Sequence, residues 1–334
     1  MMSNKNSKLR VMVTGANGFV GKALTDFLID NDIQTLPCIR KSRPETDFPD
    51  LVVFESGDIS KLTNWEEALC GVDVIVHTAA RVHVMSEKSS DPLDEFRRVN
   101  VDATLNLARQ ASQAGVKRFI YLSSVKVNGE SSEYGNSLKA SDSTNPVGHY
   151  AISKLEAEQQ LFNLSLDTGL EIVIIRPPLI YGPGVKANFA MLASAVKRGL
   201  PLPVGRITQN SRSMVSLNNL VDFISVCLEH PAAANEVFMV SDGEDVSTAN
   251  LVVRMAKIYK RKICLIPVPI SVLDKVAQLV SKQDVLGRLV GSLQVDIRKN
   301  FDVLSWRPRV NLDDGLSMAL AVCIKNRTNQ GSEI

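Results

Sequence analysis

Tyr150 and Lys154 stand four residues apart at the head of a strongly helical stretch, and Ser124 closes an apolar run in the segment before them. On a helix that spacing puts the phenol and the ammonium on one face. A free tyrosine titrates at about 10, too high for ready proton exchange near neutrality, and an adjacent cation stabilises the phenolate. Lowering that value by ~2 to 3 units requires roughly 3 to 4 kcal/mol of differential stabilisation. The expectation is a proton-transfer centre in which Ser124 bonds a substrate oxygen, Tyr150 gives or takes its proton, and Lys154 depresses the phenol. By itself Tyr-x-x-x-Lys is a common accident of surface helices. Its weight comes from a second motif.

Val11-Met12-Val13-Thr14 runs into Gly15-Ala16-Asn17-Gly18-Phe19-Val20-Gly21, and Leu24, Phe27 and Leu28 continue at helical spacing. The pattern predicts a strand, a glycine turn and a helix. That arrangement makes an anion site, because free backbone N–H groups and the helix dipole point at a bound pyrophosphate. Gly15 would make the tight turn, Gly18 would admit the phosphates and Gly21 would let the helix pack on the sheet, with Asn17, Phe19 and Val20 in the same cofactor-binding turn. The second strand, Ile33–Ile39, ends in the basic cluster Arg40-Lys41-Ser42-Arg43. An acidic residue there would bond a ribose 2′-hydroxyl, whereas arginine accommodates a 2′-phosphate, so Arg40 favours NADP(H), with NAD(H) as the alternative. The oxidised nicotinamide ring of such a cofactor would add its positive charge to that of Lys154 beside Tyr150.

Leu51–Glu55, Val74–Ala80, Lys117–Leu122 and Ile172–Ile175 read as further strands, separated by helical patterning that includes Pro92–Ala114 and resumes at Tyr150. The alternation predicts an α/β, Rossmann-type doubly wound parallel sheet with right-handed crossovers, whose ligands bind beyond the carboxyl ends of the strands. Ala79 and Ala80 follow the fourth strand and are small enough for a cofactor's ribose and phosphates to lie close to the backbone. His77, without a partner for base or metal chemistry, reads as structural. The stretch Arg176 to Gly184 predicts a rigid exit in which proline and glycine stop helix or ladder. A dinucleotide-binding domain is therefore placed at 8–176 and a smaller α/β substrate lobe at 177–325, with some chain crossing back to the first domain, and a flexible tail at 326–334.

The 334 residues carry a formal net charge of +2, which points neither to a nucleic-acid surface nor to an acidic disordered chain. Five scattered cysteines without a C-x-x-C pair imply no disulfide framework and no metal site. The polar first residues lack the apolar core of a signal peptide, and no apolar run reaches the ~18 residues of a transmembrane segment, so the expected location is the cytoplasm.

The order Gly15–Gly21, Asp58, Ser124, Tyr150 and Lys154 resembles the extended short-chain dehydrogenase/reductases of the NAD-dependent epimerase/dehydratase (nucleotide-sugar) family, and the resemblance runs over nearly the whole chain. It implies that Asp58 and Ile59 lie against the adenine and that Pro177 contacts the nicotinamide amide. It further implies that Asn188 and Arg212 face the diphosphate of a UDP-sugar, with Arg288 a further candidate, and that the chain forms a homodimer through helices at 92–114 and 149–167. The family's familiar 4-epimerases show an aspartate after the second strand, a tyrosine where this chain has Asn128 and an asparagine where it has Leu179. Ala80–Met85, Ser123–Gly129 and Arg176–Phe189 look most like the bacterial 4-ketoreductases that make UDP-N-acetylquinovosamine. The resemblance thus implies reduction of UDP-4-keto-6-deoxy-N-acetylglucosamine for O-antigen synthesis. The alternatives are a 4-epimerase of UDP-glucose or UDP-N-acetylglucosamine with retained NAD and, from another class, a non-catalytic dinucleotide-sensing protein.

Overall fold

A computed structural model describes residues 8–41, 48, 51–82, 91–280 and 283–325. In chain order its strands are β1 (Arg10–Thr14), β2 (Gln34–Ile39), β3 (Phe54–Glu55), β4 (Val74–His77), β5 (Arg118–Leu122), β6 (Glu171–Arg176), β7 (Leu179–Tyr181), β8 (Met214–Ser216) and β9 (Glu236–Met239). Seven of them form one parallel sheet in the order β3-β2-β1-β4-β5-β6-β9. Parallel strands joined by helical crossovers are covered on both faces, so they read as continuous apolar runs. Val11, Val13, Val173 and Ile175 accordingly face one core, which includes Leu24, Leu28 and Phe223. Met12, Ile172 and Ile174 face the other, with Leu107, Tyr121 and Leu161.

The strand order reverses between β1 and its two neighbours, β2 and β4. A crevice for a ligand opens at such a switch point, beyond the carboxyl ends of the strands. Thr14, Ile39, His77, Leu122 and Arg176 are those ends. Each is followed within two residues by part of the predicted site: Gly15, Arg40, Ala79, Ser124 and Pro177.

Three expectations need correction. Leu51–Glu55 is predicted as a strand, but only Phe54 and Glu55 pair, with Cys38 and Ile39. The ladder on that side starts after Pro37, which has no N–H to donate. The exit after Arg176 does continue a ladder, since Leu179–Tyr181 pairs in parallel with Met214–Ser216 as a separate two-stranded sheet. The helix expected at 92–114 is α-helical at Pro92–Arg97 and Ala103–Gln113, with one wider π turn at Arg98–Asp102 between them. Ser42 and Arg43, the stretch 83–85 and the tail 326–334 lie outside the described residues. Among the described residues no helix is long and apolar enough to cross a membrane.

Candidate cofactor and catalytic site

On the cofactor side the site is backbone. Gly15 has φ +66°, and a Cβ on it would lie 3.0 Å from the backbone of Ala79. A Cβ on Gly18 would lie 3.0 Å from the Gly15 carbonyl oxygen, and one on Gly21 would lie 2.2 Å from the same oxygen. These contacts explain the spacing of three. The first glycine supplies a left-handed turn against β4, and the third brings the helix Phe19–Asp30 down onto that turn. The helix has Gly18 at its N-cap, no side chain bonded to its first N–H groups and no carboxylate in its first turn. Its positive end is therefore free to receive an anion. The residues present thus fit the pyrophosphate of a dinucleotide. Asn17 and Phe19 are half-buried beside the turn and Val20 is buried beneath it.

Around this cradle, Ala79 and Ala80 are half-buried where β4 ends, and Thr78 Oγ1 donates to the Thr14 carbonyl at 2.7 Å, locking the two strand ends together. Arg40, at the end of β2, is largely exposed with its guanidinium 3.5 Å from Asp58, while Ile59 packs onto the core. His77 is buried, hydrogen-bonded to Thr14 Oγ1 at 2.8 Å and to Thr104 Oγ1 at 3.0 Å. Burial, aided by the charge of Lys154, holds its pKa down at about 3, so it is a neutral structural imidazole at every ordinary pH.

The helix Gly148–Thr168 brings Tyr150 and Lys154 to the carboxyl end of β5. Its buried face is Ala151, Lys154, Ala157, Glu158, Leu161 and Ser165, an apolar stripe interrupted by two charges. Lys154 is 2% exposed. Its ammonium donates to the Leu122 carbonyl at 2.9 Å, 4.3 Å from the ring centre of Tyr121 and 5.9 Å from that of Tyr150. Ser124, two residues beyond Leu122, is half-buried and caps the short turn Val125–Val127. The Val125 amide donates to the Pro177 carbonyl at 3.0 Å, which places Pro177 next to the segment that carries Ser124.

Burial shifts both titrating groups. It pulls Lys154 down to about 7, opposed by the carboxylate of Glu158. It pushes Tyr150 up to about 12. Lys154 by itself thus does not give the depressed phenol expected of the lysine and an oxidised nicotinamide together. The physical reason is burial, which disfavours the phenolate, while the ammonium donates to the Leu122 carbonyl and lies 5.9 Å from the ring centre of Tyr150. At neutral pH Tyr150 is a protonated acid.

Arg288 lies within electrostatic reach of Arg212, and Asn188 is placed at the start of the helix Ala187–Lys197 with its side chain exposed. Arg212 is half-buried, held by backbone bridges to Val246 and Leu293, and donates to the Gly291 carbonyl at 3.0 Å. Burial and the nearby charge of Arg288 lower its pKa, against the attraction of Glu130.

Sequence reasoning missed Asn100, Glu158 and the role of Arg176. Asn100 is buried in the π turn, where its amide donates to Ser153 Oγ at 2.9 Å and its oxygen accepts from the Arg81 amide at 2.8 Å. Ser153 Oγ in turn donates to the Tyr150 carbonyl at 2.8 Å, so Asn100 steadies the first turn of the helix that carries Tyr150 and Lys154. A π turn leaves no mark in helical periodicity. For Glu158 the signal was present, four residues after Lys154 on the face that must be buried.

Residues 11–241 match the model of the NAD dependent epimerase/dehydratase family. A UDP-glucose 4-epimerase of Vibrio cholerae is 47% identical over 306 residues, 91% of this chain and 92% of that protein. An N-acetyl-alpha-D-glucosaminyl-diphospho-ditrans,octacis-undecaprenol 4-epimerase of Escherichia coli O157:H7 is 30% identical over 269 residues, 79% of this chain and 77% of that one. Among solved structures, the UDP-glucuronic acid 4-epimerase of Bacillus cereus in complex with NAD superposes with TM-score 0.77 at 19% identity, over 95% of this chain and 99% of that chain. At that identity the superposition speaks for the fold.

Proposed function

The chain belongs to the NAD dependent epimerase/dehydratase family, and from that premise we propose that it is a UDP-sugar oxidoreductase working at C4, with 4-epimerisation as the overall reaction and NAD as the resident cofactor. The observation that carries the chemistry is Lys154, buried on the Leu122 carbonyl one helical turn from Tyr150 and beside Ser124. The 47% identity to a UDP-glucose 4-epimerase supports the overall reaction, and the NAD bound to the Bacillus cereus enzyme supports the cofactor. Support for NADP is limited to Arg40.

Gly15, Gly18 and Gly21 with the helix N-terminus behind them would hold the pyrophosphate of NAD, and Lys154 would hold its ribose. The dinucleotide, when bound, supplies the site with a hydride acceptor and donor. The chain does the rest. Ser124 donates to the C4 oxygen of the sugar and fixes it near Tyr150. Tyr150 moves the proton at that oxygen, and the positive charge that a bound oxidised nicotinamide would add beside it is what would make its phenolate accessible. Arg212, with Arg288 within electrostatic reach, holds the diphosphate and so orients the sugar.

A second reading, net reduction of a 4-keto sugar, is favoured by Asn128 and Leu179. Asn128 stands where the resemblance puts an epimerase tyrosine, and its side chain accepts from Arg176 at 3.0 Å. Leu179 stands where it puts an asparagine. The protonated phenol at rest also suits an acid that delivers a proton to a ketone. One experiment separates the readings. Purified protein is incubated with UDP-glucose or UDP-N-acetylglucosamine and NAD, and separately with UDP-4-keto-6-deoxy-N-acetylglucosamine and NADPH or NADH. Formation of the galacto epimer without net cofactor consumption is expected. Stoichiometric loss of reduced cofactor with the keto sugar, and no epimer, would replace epimerisation by reduction.

A further inference from the structure

Glu158 continues the spacing of four begun by Tyr150 and Lys154, so all three share one face of the helix Gly148–Thr168. It is buried to 2% exposure, and its hydrogen bonds go to Ser123 and Arg176. Its Oε1 accepts from the Ser123 hydroxyl and from Arg176 Nε at 3.0 Å, and its Oε2 accepts from Arg176 Nη2 at 2.5 Å. Arg176, at the end of β6, reaches onward with Nη1 to Asn128 Oδ1 at 3.0 Å and to the Ala140 carbonyl at 3.4 Å. Asn128 then donates to the carbonyls of Lys139 at 3.5 Å and Asp142 at 3.4 Å. The Ser123 amide donates to Ile175 at 2.8 Å. Ser124 thus lies between two anchored neighbours: Ser123, tied to the catalytic helix through Glu158, and Val125, tied to Pro177.

We propose that Glu158 is a positioning residue for the reaction, clamping the strand end that carries Ser124 to the helix that carries Tyr150 and Lys154 through its bonds to Ser123 and Arg176. The inference rests on the reading of those three residues as the chemical groups. A shift in this clamp moves the substrate oxygen relative to the phenol, and a misplacement of about 1 Å costs roughly a hundredfold in rate.

The clamp also carries charge. The groups that face the Lys154 ammonium are Glu158 and Tyr150 on its own helix, Tyr121 on β5, neutral His77 on β4 and Arg176 on β6 behind the carboxylate. Glu158 is the anion of this set and sustains the lysine as a cation against burial. Removing its charge while Arg176 stays lowers the pH at which Lys154 loses its proton, by the loss of an attraction and the exposure of a repulsion.

Three variants test this by pH–rate profile in the turnover assay above. Glu158→Gln keeps the shape and removes the charge. Its alkaline limb, set in the wild type by a lysine at about 7, should move down by about one pH unit or more, so that activity lost at pH 7 is recovered only as the pH falls towards about 5. Glu158→Asp keeps the charge and withdraws the oxygens by one methylene. Its turnover should fall by about tenfold or more at every pH with the limb in place and KM little changed. Ser123→Ala leaves the ion pair intact and keeps the test alive where a Glu158 variant does not fold. It should lower turnover about tenfold or more, without moving the limb. Variants that lose thermal stability but keep the wild-type turnover and limb would reduce Glu158 to a structural ion pair and overturn the proposal. A Tyr150→Phe control that stays active would overturn the underlying reading instead, whatever Glu158 does.

Discussion

A methyl group added at Gly21 would sit 2.2 Å from a backbone oxygen, whereas Asn188 stands exposed at a helix start and Arg212 and Arg288 are half-buried. In the reading proposed above, cofactor and substrate meet two walls, and these are built on different terms. The cofactor wall is main chain, fixed by strand ends and by the closeness of a helix to a turn. The substrate wall is side chain, carried on short bridges and helix ends. Main-chain geometry of the first kind serves every substrate a fold can host. Side-chain geometry of the second kind is where one substrate is told from another.

The contrast between the walls breaks most completely at the glycines. Gly21→Ala forces the helix Phe19–Asp30 off the turn, an overpacking that costs about 1–3 kcal/mol of stability. Binding of NAD should be lost, as read by titration, with a lowered melting temperature. Retained affinity within about twofold would show that the pyrophosphate is held elsewhere.

Tyr150→Phe comes next. Turnover should fall ~10²–10⁴-fold while NAD binds as before, because the variant removes a proton and leaves the cradle alone. On the opposite wall, Arg212→Ala removes a charge-assisted contact to the diphosphate worth about 1.5–3 kcal/mol. The KM for the UDP-sugar should rise by roughly 10- to 100-fold with NAD affinity unchanged. If both affinities fall together, the two walls are not independent and the contrast between them fails.

Lys154 belongs to both walls, and its stability signature is a matter of sign. Its pKa in the folded chain is about 7, below the ordinary lysine value of 10.5. The unfolded chain therefore holds the proton where the folded chain releases it, and stability rises with pH between those two values. Lys154→Met should be more stable than wild type at pH 6, with the gap narrowing steadily as pH is raised towards 10. A constant gap in thermal melts across that window would mean that the lysine is solvated.

How much of this was legible in the sequence follows the same division. Gly15, Gly18 and Gly21, and Tyr150 with Lys154, act over one turn of chain, so their spacing is their geometry and can be read directly. Glu158 meets Arg176 eighteen residues on and Ser123 thirty-five residues back only because β5 and β6 are neighbours in the sheet. Strand order, not spacing, makes that contact. Asn100 was hidden differently, by a π turn inside an otherwise regular helical pattern. The upward push on the Tyr150 phenol was not legible, because the sequence shows the charge of Lys154 but not the burial of the phenol or the bond of the ammonium to Leu122.

The smallest expected effect concerns Arg40, where the two walls' cofactor chemistry meets solvent. Its guanidinium is 3.5 Å from Asp58 and both side chains are largely exposed, so the pair contributes ~0–1 kcal/mol to the fold and is weakened by salt. Arg40→Ala should leave the melting temperature nearly unchanged. Its effect on the cofactor depends on what the arginine does there. With NAD as the resident cofactor, no 2′-phosphate is present for Arg40 to bind, and NAD affinity should stay within about twofold. If the arginine instead selects NADP, the same variant removes a charge-assisted contact to that phosphate and weakens NADP(H) by roughly 10- to 100-fold while sparing NAD(H). Parallel titrations of the wild type and the variant with both dinucleotides, at low salt and again at high salt, decide between these outcomes. A large, salt-sensitive loss confined to NADP(H), in a wild type that binds NADP(H) more tightly than NAD(H), would withdraw NAD as the cofactor and with it much of the support for epimerisation.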